Sequence, residues 1–143
     1  MTEVAFHFNA PDPVAYACRL LRKAVSSGAR VVVSGRPATL QKLDASLWIF
    51  SPTDFVPHCH VQSDACVLLA SPVVLAETLE AVPHRQVLLN LGASIADGFE
   101  TFERVIEIVG LNDESLETAR ARWREYTRLG YTITRHDLNL KSL

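Results

Sequence analysis

The sequence predicts an α/β fold, a three-layer sandwich in which helices cover both faces of a mostly parallel sheet. Short apolar runs such as Arg30–Ser34 and Gln86–Leu91 are typical of strands that are buried on both faces. Segments with helical spacing of apolar residues alternate with these runs along the chain. A length of 143 residues fits one domain, residues 1–143, with a core large enough to fold without disulfides.

The N-terminal segment predicts a strand followed by a helix. Val4–Phe8 is short, aromatic and branched, and a proline-rich stretch ends it. Asp12 is the expected N-cap of the helix, Pro13 its first residue, and Gly28 the residue that ends it. The apolar positions of this helix that should face the core are Val14, Ala17, Cys18, Leu21 and Val25.

The middle of the chain mixes regular and irregular segments. A second helix is expected over Thr39–Trp48, with Leu40, Leu43, Leu47 and Trp48 as its apolar positions. Residues 51–64 contain two prolines and no periodic pattern, so we expect an irregular segment there. A buried strand over Ala65–Ala70 and a short helix over Pro72–Ala81 should follow.

The last third of the chain predicts two strands, a helix and an edge strand. Gln86–Leu91 is apolar, and in Phe102–Val109 branched residues alternate around two glutamates. The helix is expected over residues 116–129, ahead of a glycine, and the closing edge strand over Tyr131–His136.

The helix over residues 116–129 places cations beside aromatic side chains. Its apolar stripe consists of Leu116, Ala119, Trp123 and Tyr126. Arginines recur beside the stripe at every fourth residue, at Arg120, Arg124 and Arg128. Such an edge suits an acidic or carboxylate-bearing partner. The alternative is a surface helix whose solvated arginines lay their stems over its own core residues, and Arg122 has no assigned role.

Composition and charge narrow the classes of function. A net charge of -2 argues against binding polyanions over the whole surface, so any link to nucleic acid should be local or indirect. Three cysteines without a framework spacing fit a reducing compartment. No run of about 18 apolar residues indicates a membrane span, and we expect a cytoplasmic protein without membrane contact.

The usual catalytic and cofactor motifs are missing from the sequence. No glycine-rich phosphate cradle follows a predicted strand, which indicates a Rossmann-like sheet without phosphate-binding motifs. His58, Cys59 and His60, with Cys66 nearby, suggest a metal cluster, but adjacent residues of an extended segment point to opposite sides. We therefore expect no catalytic residue, no metal and no cofactor. The alternative is a nucleotide-binding α/β domain or an enzyme of unknown substrate.

A second region offers large apolar side chains for contact. Trp48, Phe55 and Pro57 lie within ten residues of one another, at a helix end and in the irregular segment after it. Such side chains are either tucked under the loop or presented to a partner.

Three stretches together resemble a known family, the chi subunit of bacterial DNA polymerase III. The most specific has the form LDxxLW…FxPH, here Leu43–Trp48 followed by Phe55–His58. The other two are Gln86–Leu91 with Phe99 shortly after it, and Ala119–Tyr126 followed by Gly130 and Tyr131. Their order and spacing fit this family over essentially the whole chain.

The resemblance implies a non-catalytic accessory subunit of the polymerase holoenzyme. Chi-like proteins bind the psi subunit, which tethers them to the clamp-loader complex. They also grip the acidic C-terminal tail of single-stranded DNA-binding protein, which ends in proline and phenylalanine. A repair helicase is a further expected partner, through the surface used for psi, and nucleic acid is expected to be contacted only indirectly.

The resemblance also implies which residues bind the tail. Arg120 would meet the terminal carboxylate, while Trp123 and Val109 would flank the phenylalanine ring. Arg124 or Arg128 would supply a further cation for the acidic residues of the tail. Trp123 stands where the best-known member of the family has a tyrosine.

The psi-binding residues implied by the resemblance are Trp48, Phe55 and Pro57. For the tail, we expect Arg120→Ala to weaken binding well beyond Arg135→Ala.

Overall fold

The computed structural model describes residues 2–49, 56–63 and 71–138. The elements in chain order are β1 (Glu3–Ala10), α1 (Pro13–Ser26), β2 (Val31–Ser34), α2 (Pro37–Ile49), β3 (His58–His60), β4 (Val73–Ala76), β5 (Val87–Asn90), a 3-10 turn (Phe99–Thr101), β6 (Arg104–Gly110), α3 (Asp113–Arg128) and β7 (Ile133–Asp137). Seven described strands form one sheet in the order β3-β4-β2-β5-β6-β1-β7, and every neighbouring pair is parallel. The predicted α/β sandwich with a parallel sheet is confirmed.

Two apolar clusters occupy the two faces of the sheet. On one face α1 and α2 cover the strands, with Leu43 fully buried beside Val33 of β2. On the other face α3 covers them, and Tyr126 lies in the same cluster as Val32. Neighbouring residues of a central strand thus enter opposite cores, which explains the continuous apolar runs in the sequence.

Capping residues set the ends of two helices: α1, which follows β1, and α3, which follows β6. The Asp12 side chain accepts a hydrogen bond from the Ala15 N–H at 3.2 Å, and α1 begins at Pro13 as predicted. The helix α3 begins at Asp113, three residues before the predicted start, because Asn112 caps it and accepts from the Ser115 N–H at 2.7 Å. Gly130, with a φ of 89°, follows the end of α3.

One apolar position predicted to face the core lies nearer the surface, since Val25 of α1 is half-buried. Trp48, near the end of α2, which the sequence left either tucked under the loop or presented to a partner, is 62% exposed. The other apolar positions predicted for α2, Leu40, Leu43 and Leu47, are buried.

The short helix predicted over Pro72–Ala81 is wrong. Val73–Ala76 form the strand β4, which lies between β2 and β3 and is buried at every position. A short apolar run bounded by turn residues fits a helix or a strand equally well by periodicity. Parallel pairing with Val31–Ser34 decides the outcome.

The irregular segment predicted over residues 51–64 contains a short strand. His58–His60 form β3, which pairs in parallel with β4 at one end of the described sheet and buries Cys59. The strand predicted over Ala65–Ala70 lies outside the described residues, as does Phe55.

Candidate functional site

A groove of about 480 Å³ lies where α3 meets the sheet edge formed by β1 and β7. The residues that line it are Phe8, Asn9, Leu116, Ala119, Arg120, Trp123, Arg124 and Arg135. Elements distant in sequence meet here because β7 pairs with β1 in parallel and α3 packs on β6 and β7. The lining combines aromatic and aliphatic surface with three arginines, and no described carboxylate belongs to it.

Aromatic rings form the floor of the groove. Phe6 and Phe8 are two residues apart on β1 and therefore project from the same face of the sheet. The Trp123 ring centroid lies 5.1 Å from that of Phe6 and 6.1 Å from that of Phe8. Phe6 is buried, whereas Phe8 and Trp123 are half-buried and line the groove.

The three arginines of the groove are exposed and available to a ligand. Arg120 and Arg124 stand one helical turn apart on α3, as the sequence pattern predicted. Arg135 comes from β7, and its guanidinium carbon lies 4.7 Å from the centroid of the Phe8 ring. Within the described residues, no carboxylate forms an ion pair with any of the three.

Asn9 fixes the rim of the groove near the end of β1. It has a φ of 65°, in the left-handed region that asparagine tolerates better than most side chains. The Asn9 Nδ2 donates a hydrogen bond to Asp137 Oδ1 at 2.8 Å, which ties β1 to the end of β7. Asp137 lies two residues after Arg135, so this hydrogen bond occupies a carboxylate that is close to Arg135 in the sequence.

The structure separates the roles of the remaining α3 arginines. Arg128 pairs with Glu125, its Nε donating to Oε2 at 3.0 Å, and does not line the groove. Of the two cations proposed for the acidic residues of a tail, Arg124 therefore lies in the groove and Arg128 lies outside it. Arg135 also lines this groove. Arg135→Ala, which the sequence analysis compared with Arg120→Ala for its effect on tail binding, is therefore not a neutral control.

Arg122, which the sequence left unassigned, belongs to a buried polar network under α3. Its Nε donates to Glu107 Oε1 at 3.0 Å, and its NH1 donates to the Ala93 carbonyl at 3.0 Å. The Tyr126 hydroxyl donates to Glu107 Oε2 at 2.7 Å, and the Asn90 Nδ2 donates to the same oxygen at 3.0 Å. Arg122 and Tyr126 are four positions apart, so both reach β6 from one face of the helix.

Burial governs the protonation of this network. It raises the pKa of the Glu107 carboxyl above its usual range, although the Arg122 guanidinium and the three donors oppose the effect. Burial, helped by the nearby Glu107, also raises the pKa of the Tyr126 hydroxyl, which therefore stays protonated and donates. A glutamate inside an otherwise apolar strand was the signal in the sequence that could have indicated a buried charge pair.

Val109 lies beneath the groove and does not line it. It is 1% exposed on β6 and belongs to the same apolar cluster as Ala119, with Leu116 and Trp123 packed against that cluster. The structure thus brings Arg120, Trp123 and Arg124 to one groove and places Val109 in the core that supports them.

A second surface surrounds the end of α2. Trp48 is 62% exposed and Ile49 is 82% exposed, and Pro57 is exposed as well. The Trp48 ring packs edge-on against His58, with ring centroids 5.4 Å apart. His58 is held by Asp44 Oδ1 at 2.8 Å from its Nε2 and by the Val56 carbonyl at 2.7 Å from its Nδ1. The buried His58 side chain thus supports an exposed apolar surface.

The histidines of β3 engage carboxylates rather than a shared ligand. His60 Nε2 lies 3.0 Å from Glu77 Oε2, while His58 contacts Asp44. Within the described residues no group of three or more His, Cys, Asp or Glu side chains could hold a metal ion. In the same part of the chain, no helix combines the length and apolar character that crossing a membrane requires.

The parallel sheet with helices on both faces defines a Rossmann-like α/β protein, and its described residues carry a groove lined by arginine and aromatic side chains. A family model described as DNA polymerase III chi subunit, HolC, matches residues 1–134. The chain therefore belongs to the chi subunit family of DNA polymerase III, a family of DNA replication. The resemblance found in the sequence is confirmed.

Individual relatives agree with the family. The chi subunit of Pseudomonas aeruginosa DNA polymerase III is 33% identical over 143 residues, which cover 96% of this chain and 98% of the relative. The Haemophilus influenzae chi subunit is 27% identical over 120 residues, covering 82% of each chain. The Escherichia coli chi subunit is 26% identical over 121 residues, covering 81% of this chain and 79% of the relative.

Proposed function

We propose that this chi family member is a non-catalytic adaptor with two binding surfaces. One surface binds the psi subunit of DNA polymerase III, and the other binds the acidic C-terminal tail of single-stranded DNA-binding protein. The adaptor would link the clamp-loader complex to protein-coated single-stranded DNA and would touch nucleic acid only through its partners. The observation that carries the proposal is the groove in which Arg120, Arg124 and Arg135 surround Trp123 without an ion-pair partner among the described residues.

The chemistry of the groove matches an acidic tail that ends in phenylalanine. In this proposal Arg120 holds the terminal carboxylate in a two-bond fork, the strongest geometry for such a pair. Trp123, three residues further along α3, offers a wall for the phenylalanine ring, and Val109 keeps that wall in place from the core. An affinity near the micromolar range, about 8 kcal/mol, is reasonable for a short peptide.

The exposed end of α2 is the proposed psi-binding surface. Trp48, which packs on His58, and Pro57 are exposed, and Phe55, outside the described residues, is assigned to the same surface. Tryptophan is the residue type most enriched at the centres of protein interfaces. A repair helicase is the second proposed partner of this surface.

A fluorescence anisotropy titration tests tail binding. The probe is a labelled peptide of aspartates that ends in Pro-Phe with a free carboxylate. We expect Arg120→Ala to weaken binding more than about tenfold, because a charge-assisted fork is lost. Arg104→Ala is the matched control, since it removes the same charge at the N-terminal end of β6, beside Glu3 and outside the lining of the groove. Equal affinities of the two variants would remove Arg120 from the binding site. Binding should also weaken as salt rises, because the pairs are exposed.

Co-purification with psi tests the second surface. Trp48→Ala should abolish capture of psi and leave the peptide titration unchanged, whereas Arg120→Ala should do the reverse. A Trp48→Ala protein with native circular dichroism that loses both functions would contradict the division into two surfaces.

The alternative of a nucleotide-binding domain is tested by calorimetric titration with ATP and GTP. The proposed adaptor should give no saturable heat with either nucleotide, because no glycine-rich cradle follows its strands.

A further inference from the structure

Arg135 stands apart from the helical arginines of the groove. It lies on β7, the last strand of the sheet order, and reaches the groove from the side opposite α3. Its guanidinium lies 4.7 Å from the centroid of the Phe8 ring, a distance at which cation–π attraction favours one position of the side chain. Stacking on the ring face leaves the N–H edges of the guanidinium directed outward for a carboxylate.

The charge environment of Arg135 differs from that of Arg120. On α3 the exposed Glu117 stands three residues before Arg120, whereas Glu125, next to Arg124, is paired with Arg128. On β7 the nearest carboxylate in sequence is Asp137, which accepts a hydrogen bond from Asn9 at 2.8 Å. An acidic segment that leaves the groove over the β1–β7 edge therefore meets a cation whose nearest carboxylate in sequence is already bound by Asn9.

We propose that Arg135 is a specificity-determining residue that recognises the acidic side chains preceding the terminal phenylalanine of the tail. This inference rests on the proposed tail-binding function. Arg120 holds the terminal carboxylate on the α3 side, the phenylalanine ring lies on Trp123, and the preceding chain crosses Phe8 to reach Arg135. Arg135 thus joins Arg124, which also lines the groove, in the role for which the sequence suggested Arg124 or Arg128.

Two matched peptides distinguish recognition of the acidic side chains by Arg135 from nonspecific attraction of the peptide to the protein. One peptide carries aspartates before Pro-Phe, the other carries asparagines at the same positions, and both keep the free terminal carboxylate. Arg135→Ala should weaken binding of the aspartate peptide about fivefold, as for a well-formed exposed pair, and leave the asparagine peptide unchanged. Arg120→Ala should weaken both peptides by the same factor, because both retain the terminal carboxylate.

Three further variants sharpen the result. Arg135→Lys keeps the charge and should retain most of the preference for aspartate. Phe8→Leu removes the ring under the guanidinium and should lower that preference without abolishing binding. Arg104→Ala, the charge control, should affect neither peptide differentially.

The outcomes that overturn the inference are distinct from failure of the proposed function. If wild-type protein binds neither peptide, tail binding is wrong and the role of Arg135 falls with it. If wild-type protein binds both peptides but Arg135→Ala weakens both equally, or neither, tail binding stands and the assignment of Arg135 is refuted.

Discussion

The Nε of Arg122 lies 3.0 Å from Glu107 Oε1, and the Glu107 side chain is completely buried while that of Arg122 is 6% exposed. This ion pair joins α3 to β6. Since Arg122 also donates to the Ala93 carbonyl, one side chain fixes the helix to the strand and to the loop after β5. The rotation of α3 about its axis, and hence the direction of Arg120 and Trp123, depends on this contact.

Removing the cation of this pair should cost much more stability than removing a neutral donor. Arg122→Leu leaves the Glu107 carboxylate buried without a counter-charge, and we expect a loss of about 3–5 kcal/mol in the free energy of unfolding. Tyr126→Phe removes one hydrogen bond to the same carboxylate and should cost about 1–3 kcal/mol. Urea unfolding of the two variants measures the difference. Equal losses would mean that Arg122 acts through packing rather than charge.

The stability of the protein should fall in mildly acidic solution partly through His84. Burial lowers the pKa of His84 below its usual value of 6.5, and the nearby Arg30 guanidinium adds to the effect. The unfolded chain therefore binds a proton at a higher pH than the folded protein does. The stability due to neutral His84 is complete above pH 6.5 and is lost as pH falls from there towards the lowered pKa.

Unfolding curves of wild type and His84→Gln between pH 7.5 and 5 test this contribution, with a slope of at most about 1.4 kcal/mol per pH unit for one proton. The wild-type free energy of unfolding should decline more steeply than that of the variant. Glu107, whose pKa is raised, contributes with the opposite sign, and comparison of the two proteins cancels it because both contain the network. If the free energy of unfolding depends on pH in the same way in both proteins, the pKa of His84 is the same in the folded and the unfolded chain.

Tryptophan fluorescence should report tail binding from one ring only. The chain has two tryptophans, Trp48 on the proposed psi surface and Trp123 in the groove. Trp48→Phe should keep the spectral change that the aspartate peptide produces, and Trp123→Tyr should lose it. Trp123→Tyr should nonetheless bind within about threefold of wild type, because an aromatic wall remains. A spectral change lost in Trp48→Phe instead would place the peptide at the other surface.

Local signals in the sequence predicted most of the regular elements. Asp12 and Pro13 marked the start of α1, and Val31–Ser34 read as a buried strand because every position is apolar or small. The helix predicted over Pro72–Ala81 failed where local signals are weakest. A run of four apolar residues has too few positions to show a period, and only its pairing partners make it a strand.

The groove was only partly predictable for a different reason. Arg120, Trp123 and Arg124 share one helix, so their spacing alone brought them together. Arg135 and Phe8 are joined by the pairing of β1 with β7, a contact between distant parts of the chain that no local pattern reveals. Arg122 looked like one more solvated arginine, because its acceptor Glu107 lies on another element.

The Asn9–Asp137 hydrogen bond and the β1–β7 pairing also bear on how the protein is made. One wall of the groove is synthesised first and the opposite wall more than a hundred residues later. A nascent chain can assemble α1, α2 and the central strands while it is still attached to the ribosome. It cannot present the complete groove until β7 has left the exit tunnel and docked on β1. A fragment that ends before Ile133 would keep Arg120 and Trp123 but would lack the strand that carries Arg135.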